Sequence, residues 1–155
     1  MCSEIKDLAL QSASDCIVES LWLEILDGRR KYIIGGIYRH PGHYISILST
    51  RLENKLECVR KSNIPCIIAG DFNIDLVKYK VNRETSEYLD TVLLTNFMPM
   101  IVLPTRITKN SSTLIDHIYY CDGLYGNKEY KIFSGNFWSD LTDHLPNYFL
   151  ITNYY

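Results

Sequence analysis

Gly70-Asp71-Phe72-Asn73 is the strongest chemical signal in the sequence. It directly follows a short apolar run, so a carboxylate and a carboxamide two residues apart leave a strand end pointing the same way. In that place Asp71 can orient or deprotonate a water, and Asn73 can donate a hydrogen bond to a phosphate oxygen. Asp and Asn after Gly also make an ordinary turn, which taken alone is the simpler reading. Thr142-Asp143-His144-Leu145-Pro146 sets an acid beside an imidazole at a loop-to-strand junction, where the pair can serve a metal or a water. A surface turn with an exposed histidine explains the same residues. In Ser112-Thr113-Leu114-Ile115-Asp116-His117-Ile118, alternation puts Asp116 on the face of Leu114 and Ile118. An acid on an apolar face is costly unless paired, and His144 is the obvious partner, its tautomer then fixed by Asp116. His117 points to the other face and reads as structural. Finally, Tyr38 closes a strand before Arg39-His40-Pro41 and can present its hydroxyl to a phosphate or simply pack on the proline loop.

These residues need elements to hold them. Glu19–Leu26 and Tyr32–Tyr38 flank Asp27-Gly28 and predict a β-hairpin. Ile45, Leu48, Leu52, Leu56 and Val59 recur at three and four and predict a one-faced helix over His43–Ser62, stopped by Asn63 and Pro65. Cys66–Ala69 is a continuous apolar run ending at Gly70, the pattern of a central strand buried on both faces. A second helix is expected from Arg83 to Phe97, with Asn82 as N-cap and Tyr88, Leu89, Val92, Leu93 and Phe97 on its apolar side. Met100–Leu103, Leu114–Tyr120, Glu129–Phe133 and Tyr148–Thr152 are the remaining candidate strands. Strands interleaved with two helices, then a run of strands, indicate an α/β layered sandwich with a mixed sheet.

Composition bounds the reading without deciding it. A chain of 155 residues with 46% hydrophobic and 22% charged residues is one domain's worth of globular protein. Twelve tyrosines favour polar clefts or interfaces, while a formal charge of −2 is not that of a dedicated basic nucleic-acid binder. A cleft that recruits a divalent cation tolerates such a balance, because the metal supplies the local positive charge. The five cysteines are widely spaced with no C-x-x-C pair, so neither a zinc site nor a disulfide framework is expected, and an intracellular setting is. Residues 1–16 carry no secretory pattern and no apolar run reaches membrane-spanning length, so a soluble protein away from membranes is expected.

Each motif has a bland explanation; their order does not. Tyr-x-x-Pro after a strand, a helix, GDFN after a strand, a helix, then S-T-L-I-D-H-I and T-D-H-L-P resembles the endonuclease/exonuclease/phosphatase family over roughly Glu19 to Thr152. Pro104–Ile118 (P-T-R-I…S-S-T-L-I-D-H-I) looks most like the apurinic-type endonuclease domain of non-LTR retrotransposons. The resemblance implies a DNase I-like layered α/β sandwich, with mixed sheets flanked by helices, and Mg2+- or Mn2+-dependent hydrolysis of DNA. It implies Asp71 as the activator of water, Asn73 as stabiliser of charge at phosphorus, His144 on the scissile phosphate with Asp116 orienting it, and Tyr38 as a phosphate ligand. Asp143 would help hold the metal or its waters, and Thr105, Thr113 and Thr142 would touch the DNA strand. A reverse transcriptase domain of a parent polyprotein and a nuclear location follow from the same likeness. The family's opening Asn and metal-binding Glu motifs have no match in residues 1–18, and Glu19 is a poor substitute for that Glu. The chain therefore reads as an uncertain segment 1–18 and the C-terminal portion of such a domain, 19–155, lacking its first strands. The missing motifs weigh against activity of this piece. Two alternatives stay open: a phosphatase or phosphodiesterase acting on a small phosphorylated molecule or lipid headgroup, and a non-catalytic remnant.

Overall fold

Ten strands and two long helices emerge in the computed structural model, which describes residues 2–4, 18–28, 30–123 and 130–153. The hairpin forms where Asp-Gly demanded it. Strands β2 (Val18–Asp27) and β3 (Arg30–Arg39) pair antiparallel from Val18↔Arg39 to Asp27↔Arg30, and Gly28 takes a φ of 61° at the turn. A short β1 (Cys2–Glu4) adds to the outer edge of β2. Helix α1 (Ile45–Lys61) then carries the chain over to β4 (Cys66–Asp71), which pairs parallel with β3. Helix α2 (Arg83–Leu94) and the short strands β5 (Met98–Pro99), β6 (Arg106–Ile107) and β7 (Ser112–Thr113) lead to β8 (Asp116–Cys121). The main sheet is six-stranded in the order β1-β2-β3-β4-β8-β5 and mixed, since only β3–β4 is parallel. Strands β9 (Tyr130–Asn136) and β10 (Asn147–Asn153) form a separate antiparallel pair.

One face of the main sheet is closed by the helices. The α1 stripe Leu48, Leu52, Leu56 and Val59 is fully buried with Tyr88 and Val92 of α2, against Trp22, Ile33, Ile37 and Ile68 of the sheet. Across four strands Trp22, Gly35, Ile68 and Tyr119 stand in one register row. Gly35 is small because the Trp22 ring lies where its Cβ would be, 2.7 Å away. The opposite face receives the β9–β10 pair, with the Phe149 ring 5.3 Å from that of Tyr120. There Ile25, Tyr32, Ile34 and Ile67 face Phe149 and Ile151 across a cavity of about 280 Å³. Strand β4 is thus buried on one side, through Cys66 and Ile68, and only half-buried on the other, through Ile67 and Ala69. The two-stranded layer is too narrow to cover the sheet, which corrects the expectation of burial on both faces.

Local chemistry also moves several boundaries. Helix α2 begins as expected, with the Asn82 side chain accepting from the Thr85 N–H at 3.0 Å. It ends three residues early, because Asn96 turns left-handed at φ 66°. Asn96 N–H then bonds Leu93 O at 2.9 Å and Phe97 N–H bonds Val92 O at 3.2 Å, closing the helix with buried Phe97. Leu93 is 39% exposed and leaves the apolar side. The strand expected at Met100–Leu103 is instead the two-residue β5, whose Pro99 suits an edge; Val102 and Leu103 face solvent. Strand β8 starts at Asp116, not Leu114, because the Leu114 N–H goes to Asp75 Oδ1 and the Ile115 N–H to Thr105 Oγ1. Strand β10 runs one residue beyond the expected Tyr148–Thr152 at each end, and the Glu129 end of the expected strand before it lies outside the described residues. No helix among the described residues is long and apolar enough to cross a membrane.

His117 is structural, as its face implied. It is buried, stacked on Phe72 at 4.8 Å, and its Nε2 donates to Ile74 O at 2.9 Å and Leu114 O at 3.1 Å. Nδ1 accepts from the Tyr119 hydroxyl at 3.0 Å and the Tyr88 hydroxyl at 3.3 Å, so the ring is neutral with its proton on Nε2. Burial pushes its pKa down from 6.5 to about 4. The unfolded chain therefore binds a proton below pH 6.5 that the folded chain refuses. The neutral ring's stabilising contribution is complete above pH 6.5 and drains away as pH falls toward 4, by roughly 3 kcal/mol in all. Urea unfolding at pH 7.5, 5.5 and 4.5 is expected to show that slope, and His117→Gln to flatten it by about one proton.

Candidate active site

Register brings the chemistry together. Glu19, Tyr38, Asp71 and Asp116 are successive partners across β2, β3, β4 and β8, at the end of the sheet where β3 and β4 terminate. Directly paired residues project from the same face, so a phenol and three carboxylates line up on the half-covered side. Asp71, Asp116 and His144 each bring a ligand atom into a group whose members all lie within 4.8 Å of one another.

The pairing of Asp116 with His144 is present. His144 Nδ1 lies 3.1 Å and 3.0 Å from the two carboxylate oxygens of Asp116. A carboxylate only accepts, so Nδ1 carries the hydrogen and Nε2 is the nitrogen left to face a substrate. Thr105 holds both partners in place. Its Oγ1 accepts the Asp116 N–H at 2.9 Å, and its carbonyl accepts the Leu145 N–H at 2.7 Å. The bridge Arg106↔His144 and the Ile107 N–H to Asp143 O bond of 2.8 Å extend the join. Thr105 is fully buried, which corrects its expected place against a DNA strand: its hydroxyl is spent inside the protein. Thr113 is half-buried in β7, its carbonyl accepting from Thr105 N–H at 2.8 Å, and Thr142 is exposed with its hydroxyl turned to the His144 N–H at 2.8 Å.

Asp71 ends β4 and Asn73 does not continue the strand. Asn73 sits at φ 50°, its N–H donates to Asp71 Oδ1 at 3.0 Å, and its Nδ2 donates to Arg39 O at 2.8 Å. The turn, not strand alternation, therefore sets where the carboxamide points. Burial pushes the Asp71 carboxyl above the ordinary range and the nearby Asp116 charge adds to this, while the Asn73 N–H, His144 and Arg106 oppose it. Tyr38 is 38% exposed, with the His40 ring edge-on at 4.8 Å. Glu19 bonds His40, Oε1 to Nε2, at 3.3 Å. Asp143 stands outside the three-residue group; its Oδ2 is bound by Arg106 Nε at 2.7 Å, and that hydrogen bond lowers its pKa. Two residues escaped the sequence reading, Arg39 and Arg106. For Arg39 the signal was there, since it occupies the same alternating face as Ile33 and Ile37.

Asp71 and Asp116 offer the hard oxygen donors that Mg2+ or Mn2+ prefers, and the Asp71 carboxyl is raised first by burial and then by the Asp116 charge beside it. His144 Nδ1 is turned to Asp116 and orients rather than ligates while that pair persists.

No family model matches the chain, and no curated protein matches it in sequence. Solved structures match its fold. The endonuclease domain of TRAS1, a telomere-specific non-LTR retrotransposon, superposes with a TM-score of 0.68 at 13% identity, over 97% of this chain and 68% of that one. TDP2 from D. rerio, complexed with a single-strand DNA product, gives 0.64 at 11% identity, over 99% of this chain and 67% of that one. The AP endonuclease LMAP from Leishmania major gives 0.60 at 12% identity, over 99% and 61%. The chain has the DNase I-like fold of these proteins and spans about two thirds of their length.

Proposed function

We propose that this chain is the C-terminal portion, residues 19–155, of an endonuclease/exonuclease/phosphatase domain of the retrotransposon type, and that it hydrolyses phosphodiester bonds of DNA with Mg2+ or Mn2+. The observation that carries the reading is the Asp71–Asp116–His144 group, with His144 held by both oxygens of Asp116. Asp71, its carboxyl raised by burial, takes the proton of the attacking water. His144 presents Nε2 to the scissile phosphate. Asn73 offers its second amide hydrogen to the charge growing on phosphorus. Tyr38, beside Asp71 in the register row, gives its hydroxyl to a phosphate oxygen. Asp71 and Asp116 would hold the cation, which supplies charge neutralisation at the phosphate. Asp143 would act on the metal's water shell once its bond to Arg106 opens. Thr113 and Thr142 would touch the strand.

DNA is preferred over a small phosphoester for the P-T-R-I…S-S-T-L-I-D segment. Exposed Lys78, Tyr79, Lys80 and Lys109, in the chain between Asp71 and Asp116, add basic and aromatic groups that suit a polyanionic strand. Such a domain would act in the nucleus beside the reverse transcriptase of a parent polyprotein. A second reading, a fold kept without catalysis, draws on one observation: among the described residues no third carboxylate joins Asp71 and Asp116.

Supercoiled plasmid decides between them. Purified protein is expected to nick it with Mg2+ and not with EDTA, and Asp71→Ala and His144→Ala each to remove nicking while circular dichroism stays that of the folded chain. The acid limb of the pH–rate profile should lie above the ordinary carboxylate range, since the base must be ionised and burial raises it. Folded but inert wild-type protein would establish the second reading. Release of phosphate from phosphoinositide vesicles without plasmid nicking would establish the small-substrate enzyme.

A further inference from the structure

Arg39 is a buried guanidinium at the end of β3, 3% exposed, and its three hydrogen bonds all go to main-chain carbonyls. Nε donates to Phe72 O, Nη2 to Asn73 O and Nη1 to His43 O, each at 2.6 Å. Burial lowers its pKa, but a guanidinium keeps its proton regardless. A charge held in such a place is costly unless its geometry is used.

We infer that Arg39 is the positioning residue of the site, setting Asp71 and Asn73 through the backbone that joins them. This rests on reading Asp71 and Asn73 as reacting groups. Phe72 and Asn73 are the two residues after Asp71, and Arg39 grips the carbonyl of each. Asn73 is a non-glycine residue at φ 50°, a left-handed conformation that its surroundings must hold. Arg39 is what imposes it, and the Asn73 side chain closes the loop by donating back to Arg39 O at 2.8 Å. The Asn73 N–H is in turn the donor to Asp71 Oδ1, so the carboxylate's direction follows from the backbone that Arg39 clamps. The third bond, to His43 O, ties down the loop after Tyr38. One planar fork therefore sets the phenol, the acid and the carboxamide relative to one another. An ammonium on a lysine stem lacks the flat array of donors needed to serve three carbonyls.

The test uses the whole chain with Arg39→Met and Arg39→Lys, read first by two-dimensional amide NMR. In the wild type the Asn73 amide is expected to be protected from exchange with solvent, because it is hydrogen-bonded to Asp71 Oδ1. In Arg39→Met the Asn73 amide exchanges with solvent at least tenfold faster. Arg39→Lys restores part of the protection. Apparent Mn2+ affinity, followed by paramagnetic broadening, falls in the same order. In plasmid nicking, kcat drops about 100-fold in Arg39→Met with KM within about threefold, as expected of a small misplacement of reacting groups. If Arg39→Met does not fold, Arg39→Lys decides by the same Asn73 signal. An Asn73 exchange rate equal to wild type in the folded variant would overturn the inference. A wild-type chain that never nicks would overturn the proposed function instead, leaving the NMR and Mn2+ measurements to judge Arg39.

Discussion

Asp116→Asn is expected to lower plasmid nicking by roughly 10³-fold, with a folded protein and a little-changed KM. Two losses compound. The carboxylate accepts the His144 Nδ1 hydrogen through both oxygens, at 3.1 and 3.0 Å, whereas an amide has one acceptor and one donor. With the donor facing Nδ1, the imidazole must carry its hydrogen on Nε2 instead, so the ring that faces the scissile phosphate is held in the other tautomer and by one contact rather than two acceptor oxygens. The substitution also removes one of the two oxygen donors available to a divalent cation. Stability should hold, because the Asp116 backbone bond to Thr105 Oγ1 is untouched and the like charge beside Asp71 is relieved. That relief has a direction: the Asp116 charge helps to raise the Asp71 carboxyl, so residual activity of Asp116→Asn should keep its acid limb at lower pH than wild type. Nicking within about fivefold of wild type would show that the Asp116–His144 pair is architecture and not catalysis.

That pair was legible in the sequence because alternation forces an acid onto an apolar face and the cost of burying it demands a partner. The same logic applied to Arg39 and went unused: a basic residue at a strand end looks like a solvated end until the register shows which face it occupies. The hairpin, both helices and β4 could be read because turn residues and periodicity are local. Thr105 could not. A threonine in P-T-R-I suggests a surface contact, and only the tertiary approach of the segment ending at Leu145 reveals a hydroxyl and carbonyl spent on joining β8 to the His144 loop. Asp143 was hidden for the same reason, since its Arg106 partner lies far along the chain. The early end of α2 was missed because Asn96 does what Gly usually does at a helix terminus. The narrow β9–β10 layer is likewise beyond periodicity, which reports which face is apolar and not how much of it a neighbour covers.

Gly70→Ala tests whether the site depends on sheet geometry rather than on its side chains alone. A Cβ at Gly70 would fall 1.7 Å from the carbonyl oxygen of Ile37 and 2.7 Å from its carbon. Both are backbone atoms of the neighbouring strand, so no rotamer change relieves the clash; β3 and β4 must part or the peptide must turn. Gly70 pairs with Ile37 on one side and His117 on the other, one residue before the row that aligns Tyr38, Asp71 and Asp116. Parting the strands there moves Asp71 away from Tyr38 and pulls on the carbonyls that Arg39 holds. The expected loss of stability is at the high end for one methyl group, about 4 kcal/mol, or on the order of 10 °C in melting temperature for a chain of this size. Gly36→Ala is the matched comparison: in the adjacent strand its Cβ would meet nothing nearer than Leu21 O at 3.9 Å, and its effect should stay within about 1 kcal/mol. Thermal melts of the two variants beside wild type separate the cases. Should Gly70→Ala melt with Gly36→Ala, the close approach of β3 and β4 is not what holds Asp71 in line, and the burden falls on the turn clamped by Arg39.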